Sequence, residues 1–255
     1  MLEQYFDLSG KRALITGSSQ GIGYALAGGL ASAGAAIILN GRNTDRLAGA
    51  AETLEKTGAI VHQAAFDVTD RSAVVAAVDR IEQEIGPIDI LVNNAGMQHR
   101  TTLEDFPEEA WHKLMTTNLD SVFFVGQTVA RHMIGREAGK IINIGSMQSE
   151  LGRDTITPYA ASKGAVKMLT KGMCIDWAKH NIQVNGIGPG YFDTELNKAL
   201  VEDPAFSDWL AKRTPAGRWG DVEELIGAAI FLASPSSSFV NGHILYVDGG
   251  ITSSL

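Results

Sequence analysis

Positive charge is scarce in this chain of 255 residues, in which 21 Lys and Arg face 29 Asp and Glu for a formal net charge of -8. No basic stripe offsets the acidic excess, so we expect no nucleic-acid partner bound through phosphate neutralisation. Cysteine is nearly absent as well. The one cysteine, Cys174, cannot form an internal disulfide, which fits a reducing compartment such as the cytoplasm.

Long apolar runs are also missing from the sequence. No stretch approaches the roughly 18 apolar residues that a transmembrane helix needs. The N-terminal sequence has no basic segment followed by a long apolar run, so no signal peptide is visible. The histidines lack a metal-ligand spacing such as HExxH, and we expect no metal site. These absences predict a cytoplasmic protein that does not bind or cross a membrane.

Short apolar runs alternate with longer helical patterns along most of the chain. Several runs have consecutive apolar residues, such as the first three of Ile90–Asn93 (ILVN), which is typical of parallel strands covered on both faces. The expected strands are Arg12–Thr16, Ala36–Asn40, Ile60–Phe66, Ile88–Val92, Lys140–Ile144, Gln183–Ile187 and His243–Val247. The expected helices lie near 21–34, 43–57, 70–85, 107–135, 157–180 and 221–233.

This alternation predicts an α/β fold in which residues 1–255 form a single domain. We expect a doubly wound parallel sheet of the Rossmann type, with about seven strands and helices on both faces. A longer insertion precedes the helix near 221. We interpret residues 191–213 as short helices that form a substrate lid over the C-terminal ends of the strands, with an ordinary surface excursion as the alternative.

A glycine-rich loop, Thr16–Gly23 (TGSSQGIG), follows the first expected strand and opens the first expected helix. Glycines permit a tight turn and let a pyrophosphate approach the backbone, while the helix N-terminus attracts its negative charge. The spacing G-x-x-x-G-x-G differs from the common G-x-G-x-x-G. The loop predicts a dinucleotide site whose cofactor contacts are Gly17, Ser19, Gln20, Gly21, Ile22 and Gly23.

The end of the second expected strand indicates which dinucleotide binds. Leu39–Asn43 (LNGRN) holds no acidic residue that could accept hydrogen bonds from the ribose 2′-OH of NAD. Arg42 can instead pair with the 2′-phosphate of NADP. We therefore expect NADP (NADPH), with Asn40 and Arg42 among its contacts and NAD as the weaker alternative. A solvated Arg42 is the other interpretation, and Gln20 offers no second cation.

Tyr159 and Lys163 lie four residues apart, on one face of an expected helix. A free tyrosine has a pKa of about 10 and is a poor base at neutral pH, but a nearby ammonium favours the phenolate and lowers that value. A tyrosine so tuned takes a proton from an alcohol or gives one to a carbonyl. Ser146 follows the fifth expected strand, where it can hydrogen-bond the same oxygen. The Y-x-x-x-K pair alone is a weak signal.

Further motifs make the combination specific. Asp67 follows the third expected strand, Asn93–Gly96 (NNAG) follows the fourth, and Ser146 stands thirteen residues before Tyr159. Pro189-Gly190 with Thr194 and Val247–Gly250 (VDGG) lie near the end of the chain. Together with the glycine loop, they resemble the short-chain dehydrogenase/reductase family over nearly the whole sequence. The resemblance implies a nicotinamide-dependent oxidoreductase that is commonly a homotetramer.

The same resemblance implies roles for individual residues. Ser146, Tyr159 and Lys163 would form the catalytic triad. Asn118 would be its fourth member, whose backbone bend and bound water lead to the lysine ammonium in a proton relay. Beyond the glycine loop and the second strand, the cofactor contacts would be Asp67, Val68, Asn94, Ala95, Gly96, Tyr159, Lys163, Pro189, Gly190, Phe192 and Thr194.

A narrower resemblance, carried by Ser146–Arg153 (SMQSELGR), Gly188–Phe192 (GPGYF) and Ser238–Gly242 (SFVNG), points to family members that act on a sugar acid. The carboxylate of such a small-molecule substrate needs a cation, and its hydroxyls need polar partners. The expected substrate residues are Arg100, Gln148, Arg153, Ser146 and Tyr159, with Ser149 and Glu150 as further hydroxyl partners. For each arginine, a solvated or structural salt bridge is the alternative.

Two other functions stay open from the sequence. One is a different short-chain reductase, acting on a polyol, another keto-sugar or a 3-oxoacyl chain. The other is a non-catalytic NADP-binding regulator, against which the intact set of Ser146, Tyr159 and Lys163 argues, because a protein without catalysis is free to lose these groups.

Overall fold

Seven parallel strands form one sheet in the computed structural model, which describes residues 3–254. Their spatial order is β3-β2-β1-β4-β5-β6-β7. The strands are β1 Arg12–Ile15, β2 Ala36–Gly41, β3 Val61–Ala65, β4 Ile90–Asn93, β5 Gly139–Ile144, β6 Ile182–Pro189 and β7 Ile244–Val247. Each expected strand is present within two residues of its predicted ends. The predicted α/β fold with a doubly wound parallel sheet is therefore confirmed.

Ten α-helices connect or flank the strands in the described part of the chain. They are α1 Glu3–Phe6, α2 Gly21–Ser32, α3 Thr44–Glu55, α4 Arg71–Glu84, α5 Glu108–Met115, α6 Ser121–Arg136, α7 Thr157–Trp177, α8 Lys198–Val201, α9 Pro204–Arg213 and α10 Ile226–Ala233. The predicted single domain over 1–255 extends to Met1, Leu2 and Leu255, which lie outside the described residues.

The sheet carries a separate apolar layer on each face, because successive strand residues point to opposite sides. Ala13 and Ile15 of β1 pack with buried residues of α2, α3 and α10. Leu14, between them, packs on the other face with α4, α6 and α7. All four residues of β4 are buried. This two-sided burial explains why the strands read as continuous apolar runs.

One predicted helix, near 107–135, is interrupted in the structure. A π-helical turn, Thr116–Asp120, separates α5 from α6. Such a turn inserts an extra residue into the helical repeat and frequently occurs at functional sites. The inserted turn holds Asn118, whose side chain is fully buried.

The order of the strands reverses between β1 and β4, which are neighbours in the sheet although two strands separate them in sequence. In open α/β sheets the crevice for a ligand opens beyond the carboxyl ends of the strands at such a point. The glycine loop after β1 and the Asn94–Gly96 segment after β4 lie at this crevice. The topology thus brings the predicted site residues together. Among residues 3–254, no helix is both long and apolar enough to span a bilayer.

Candidate active site

A cavity of about 890 Å³ opens along the carboxyl ends of the strands. Its walls contain every predicted catalytic, cofactor and substrate residue except Asn118, Ser149, Glu150 and Phe192. The residues that it unites come from segments as distant in sequence as Gly17 and Thr194. The cavity is therefore the candidate active site, and it extends from the glycine loop past Tyr159 to the insertion after β6.

The glycine loop at one end of this cavity is shaped to receive a pyrophosphate. Gly17 and Gly21 have φ angles of 62° and 59°, which favour glycine. A Cβ on Gly23 would stand 2.6 Å from the carbonyl oxygen of Gly17, so the close turn also requires glycine there. The amide of Asn94 donates to the carbonyl oxygens of Thr16 and Gly17, at 2.9 and 3.0 Å. The first N–H groups of α2 face the cavity with the positive end of its dipole.

Next to the loop, Arg42 and Asp67 face each other across the part of the cavity where the adenosine ribose would lie. Arg42 Nη1 is 3.6 Å from Asp67 Oδ2, and 73% of the Arg42 side chain is exposed. Partial burial opposes ionisation of Asp67, but hydrogen bonds from Thr69 and the charge of Arg42 hold its pKa below the ordinary value. Both side chains are thus charged and accessible to a cofactor.

Asn40, which we expected to contact the cofactor, has its side chain committed to the fold. Its amide donates to the carbonyl oxygens of Ala64 and Phe66, at 3.0 and 3.1 Å, and its Oδ1 accepts from the N–H of Gly17 at 3.3 Å. Asn40 therefore ties the second strand to the third and fixes the start of the glycine loop. It lines the cavity as a supporting residue.

The predicted catalytic residues meet at the middle of the cavity. Ser146 follows the end of β5 by two residues and caps a short 3₁₀ turn, Met147–Ser149, by accepting from the N–H of Gln148 at 3.1 Å. The Ser146 hydroxyl lies near the phenol of Tyr159 and opposes the rise in the pKa of that phenol. Lys163, one turn further along α7, donates from Nζ to the carbonyl oxygen of Ile144 at 2.7 Å. The three residues of the predicted triad therefore lie together in the cavity.

The pKa of Tyr159 differs from the expectation that Lys163 lowers it. Burial raises the pKa of this phenol, while the hydrogen bond from Ser146 and the charge of Arg100 oppose the rise. Burial also lowers the pKa of Lys163 to about 8. The physical reason is that burial disfavours the charged form of both groups, and the Lys163 ammonium is directed to the Ile144 carbonyl. Arg100 is the cation that favours the Tyr159 phenolate.

Asn118 lies behind the cavity wall. Its Oδ1 accepts from the N–H of Met97 at 2.7 Å, and its Nδ2 donates to the Met97 carbonyl oxygen at 3.0 Å and to Ser162 Oγ at 3.2 Å. The backbone bend expected at Asn118 is present as the π-helical turn. The side chain itself fixes the loop after β4 against α7, and the role in a proton relay stays a prediction.

Phe192 does not present its side chain to the cavity as expected. It is 4% exposed and packs in the core below the site, with its ring against Gly220. Tyr191, the residue before it, lines the cavity instead. Sequence reasoning missed Tyr191, although its position directly after Pro189-Gly190 at a strand end is a signal for a site residue. Thr194 lines the cavity as predicted.

Polar side chains surround the end of the cavity beyond Tyr159. Arg100, Gln148 and Arg153 line it as predicted, and Arg100 Nη2 donates to Oδ1 of Asn197 at 3.2 Å. Ser149 and Glu150 were expected there but point elsewhere. Ser149 Oγ donates to the Lys163 carbonyl oxygen at 2.9 Å, and Glu150 pairs with Lys167. The 3₁₀ turn after Ser146 rotates these two side chains toward α7.

Three buried polar atoms at this end complete no hydrogen bond within residues 3–254. They are Gln148 Oε1, Arg153 Nε and the hydroxyl oxygen of Tyr191. Buried polar atoms in folded proteins are nearly always paired, so such a cluster in a cavity indicates a ligand with complementary groups. Over the same residues, no cluster of three or more His, Cys, Asp or Glu is arranged to hold a metal ion.

The fold and this site define an oxidoreductase that uses a nicotinamide dinucleotide. Comparison with known proteins gives the family. Residues 11–205 match the short chain dehydrogenase family. The chain is 60% identical over 250 residues to 5-keto-D-gluconate 5-reductase of Escherichia coli (strain K12), covering 98% of each protein. Identity and coverage are the same for gluconate 5-dehydrogenase of Gluconobacter oxydans (strain 621H).

A solved structure shows the same similarity in three dimensions. The crystal structure of gluconate 5-dehydrogenase from Burkholderia cenocepacia J2315, in complex with NADP and tartrate, superimposes with a TM-score of 0.98. The two chains are 61% identical, and the match covers 100% of each. The protein belongs to the short-chain dehydrogenase family, as the motifs in its sequence predicted.

Proposed function

We propose that the protein is an NADP-dependent gluconate 5-dehydrogenase. It would interconvert D-gluconate and 5-dehydro-D-gluconate (5-ketogluconate), the reaction named by its 60% identical relatives. The observation that carries the proposal is the polar end of the cavity, where Gln148, Arg100 and Arg153 stand next to Tyr159. A reductase for 3-oxoacyl chains would need an apolar channel at this place, because an alkyl chain gains its binding free energy from apolar surface.

The residues of the chain can perform the proton transfer of this reaction. In oxidation, Tyr159 removes the proton of the C5 hydroxyl, and in reduction it donates a proton to the C5 carbonyl oxygen. Ser146, which lies near the Tyr159 phenol, orients the same oxygen. The nicotinamide, when bound, accepts or supplies the hydride. Lys163 would hold the nicotinamide ribose, and Arg100 lowers the pKa of Tyr159 against the effect of burial.

Several features support NADP as the cofactor. Arg42 is exposed at the rim of the cavity, and β2 ends without an acidic residue to repel a 2′-phosphate. The similar Burkholderia enzyme was crystallised with NADP, and also with tartrate, which is a hydroxy acid as gluconate is. Ser19, Gln20 and Ile22 in the loop, Val68 after β3, and Pro189 and Gly190 after β6 line the cavity where cofactor contacts are expected.

We further propose a homotetramer that works in the cytoplasm, with residues 191–213 as a substrate lid. Exposed apolar side chains support association of subunits. Met168 and Ile175 lie seven residues apart on the same face of α7 and are 62% and 78% exposed. Phe239 is fully exposed. The lid assignment is supported by α8 and α9, two short helices in the insertion, and by Leu200 and Asn197 at the cavity wall.

The test is to identify the product that the purified protein forms from NADPH and 5-dehydro-D-gluconate. We expect D-gluconate, and the Tyr159→Phe variant should bind NADPH but form almost no product. A parallel panel of acetoacetyl thioesters, ketoses and polyols separates the other short-chain reductases. Turnover of an acyl thioester in preference to the keto acid would replace the proposal. Binding of NADPH without turnover of any carbonyl compound would indicate a regulator instead.

A further inference from the structure

The three unpaired polar atoms beyond Tyr159 differ in hydrogen-bonding character. Arg153 Nε–H and the Tyr191 hydroxyl are donors, whereas Gln148 Oε1 is an acceptor. A hydroxy acid offers the complementary set, because its carboxylate accepts hydrogen bonds and its hydroxyls donate them. The two donors thus match the carboxylate, and the Gln148 oxygen matches a hydroxyl of the substrate.

The two donors stand next to each other. The charge of Arg153 and its approach to the Tyr191 hydroxyl oppose the rise in the pKa of Tyr191 that burial causes. Yet Arg153 Nε and the Tyr191 hydroxyl oxygen complete no hydrogen bond of acceptable geometry in the described chain. The Nε–H of the Arg153 guanidinium and the neutral Tyr191 hydroxyl, both buried and neither with a hydrogen-bond partner in the described chain, can bind one anionic group together.

Aromatic side chains of the insertion after β6 hold Tyr191 in place. Its ring meets those of Phe206, Trp209 and Trp219 edge to face, with centroids 5.4, 6.2 and 5.7 Å away. This geometry is the favourable one for aromatic pairs. Trp219 is itself fixed, because its Nε1 donates to Ser207 Oγ at 3.1 Å. The hydroxyl of Tyr191 is therefore oriented by packing and not by a partner of its own.

Phe206, on helix α9, contacts both donors. Its ring packs against Tyr191, and the guanidinium carbon of Arg153 lies over its face at 5.2 Å from the ring centre. A cation over an aromatic face is attracted by the ring quadrupole. One side chain of the insertion thereby positions the charged and the neutral donor together, from an element that lies outside the Rossmann core.

We propose that Arg153 and Tyr191 together bind the carboxylate of the substrate, and that Phe206 is the residue that positions them. The assignment rests on the proposed function. It makes Tyr191 a residue that determines specificity for an acid over a neutral polyol. Arg100 lies near both ends of this site, since its charge lowers the pKa of Tyr191 as well as that of Tyr159, but its Nη2 donates to Asn197. We therefore assign the carboxylate to the two unpaired donors, Arg153 Nε and the Tyr191 hydroxyl, and not to Arg100.

The experiment compares D-gluconate with gluconamide, in which the carboxylate is replaced by a neutral amide. For Arg153→Met we expect kcat/KM for gluconate to fall about tenfold or more, through KM, with little change for gluconamide. Arg153→Lys, which keeps the charge, should restore part of the preference for gluconate. Tyr191→Phe should raise KM for gluconate several-fold, by about the effect of one hydrogen bond, without altering KM for NADP.

Matched controls come from elsewhere in the chain. Tyr246→Phe removes a hydroxyl that donates to Glu150, and Arg218→Met removes a guanidinium that pairs with Glu224; neither residue lines the main cavity. Both should retain the wild-type ratio of kcat/KM for the two substrates. Phe206→Leu should weaken gluconate binding and reduce the further effect of Arg153→Met, because the donors are then no longer held together.

The outcomes separate this assignment from the proposed function. If the wild type converts gluconate but Arg153→Met and Tyr191→Phe keep its KM and its preference over gluconamide, the carboxylate assignment is wrong and the function stands. A wild type inactive on both gluconate and 5-dehydro-D-gluconate overturns the proposed function and the carboxylate site with it. Arg153 and Tyr191 line the cavity, so we expect Arg153→Met and Tyr191→Phe to fold. The test therefore holds even if Phe206→Leu does not fold.

Discussion

Lys163 Nζ lies 5.8 Å from the centre of the Tyr159 ring, while its hydrogen bond goes to the carbonyl oxygen of Ile144. The side chain is 5% exposed, and burial lowers its pKa to about 8. A buried ammonium destabilises the folded state at neutral pH, because it must leave water without a carboxylate partner. The proposed role of Lys163 in catalysis explains why this destabilising charge is retained, since its ammonium lies beside Tyr159.

Lys163→Met should therefore stabilise the protein while it inactivates the enzyme. At pH 7 the lysine is protonated in both the folded and the unfolded state, and the whole cost of its burial is present. Removal of the charge, less the loss of one hydrogen bond, should raise the free energy of unfolding by about 2 kcal/mol. The measurement is urea unfolding of wild type and variant at a series of pH values.

The pH dependence supplies the control for this prediction. The folded pKa is depressed, so between about 8 and the unfolded value the folded state releases its proton and the wild type gains stability. The difference between variant and wild type should shrink over this window. The prediction is wrong if Lys163→Met is less stable than wild type at pH 7. It is also wrong if the difference in the free energy of unfolding between variant and wild type does not change with pH.

Arg100 should set the pH at which the enzyme oxidises its substrate. Its charge lowers the pKa of Tyr159 against the effect of burial, so it favours the phenolate that acts as the base. In Arg100→Met the pKa of Tyr159 should rise, and the alkaline-activated limb of kcat for gluconate oxidation should move to higher pH. Reduction needs the protonated phenol, so its kcat at neutral pH should not fall through this effect.

Two variants test whether the effect is electrostatic. Arg100→Lys keeps the positive charge and should restore most of the pH profile. Arg153→Met should leave the profile in place while it changes KM, because Arg153 acts on Tyr191 and is not among the groups that shift Tyr159. Identical pH profiles for wild type and Arg100→Met would remove Arg100 from this role.

Most of the fold could be predicted from the sequence because its strands are buried on both faces. The run ILV in β4 is apolar at successive positions, and its short length between longer helical patterns favours a buried strand over a buried helix. The glycine loop could also be predicted from the sequence, since positive φ angles and close contacts require glycine at Gly17, Gly21 and Gly23. Local chemistry fixes both features.

The parts that could not be predicted depend on contacts distant in sequence. Tyr191 and Phe192 are adjacent aromatics, and the sequence does not say which one faces the cavity. Packing of Phe192 against Gly220 decides it, and the aromatic cluster of the insertion then receives Tyr191. The π-helical turn at Asn118 likewise has no local signature, because its side chain is satisfied by Met97 and Ser162, and only the family resemblance indicated a backbone bend there.

Arg42 should determine the preference for NADP over NAD. Its guanidinium is exposed and faces Asp67 at 3.6 Å, so it can turn to a 2′-phosphate at little cost. Arg42→Gln should lower kcat/KM for NADP by about 10- to 100-fold, the effect of a charge-assisted hydrogen bond, with a much smaller change for NAD. Initial rates with each cofactor give the ratio.

Arg80→Gln is the matched control for Arg42, because Arg80 is exposed on α4 and does not line the cavity. The ratio of kcat/KM for NADP to that for NAD should be the same in this variant as in the wild type. High salt should weaken NADP binding in both wild type and Arg80→Gln, and less so in Arg42→Gln, since exposed charge pairs are screened. An unchanged cofactor ratio in Arg42→Gln would place the 2′-phosphate elsewhere.

Two glycines of helix α2 should respond in opposite ways to the same substitution. A Cβ at Gly23 would stand 2.4 Å from the Asn94 amide nitrogen and 2.6 Å from the Gly17 carbonyl oxygen, so the loop or Asn94 must move. Overpacking of this kind costs about 1–3 kcal/mol. Because the displaced groups shape the pyrophosphate site, Gly23→Ala should weaken NADPH binding about tenfold or more.

At Gly28, five residues on, the nearest atom to a new Cβ is Leu54 Cδ2 at 3.6 Å, an ordinary contact. Gly28→Ala should therefore stabilise the helix by about 0.5–1 kcal/mol and leave NADPH binding unchanged. Fluorescence titration with NADPH and urea unfolding of both variants check the pair, and equal NADPH affinities would show that the close turn at Gly23 is not needed for the cofactor.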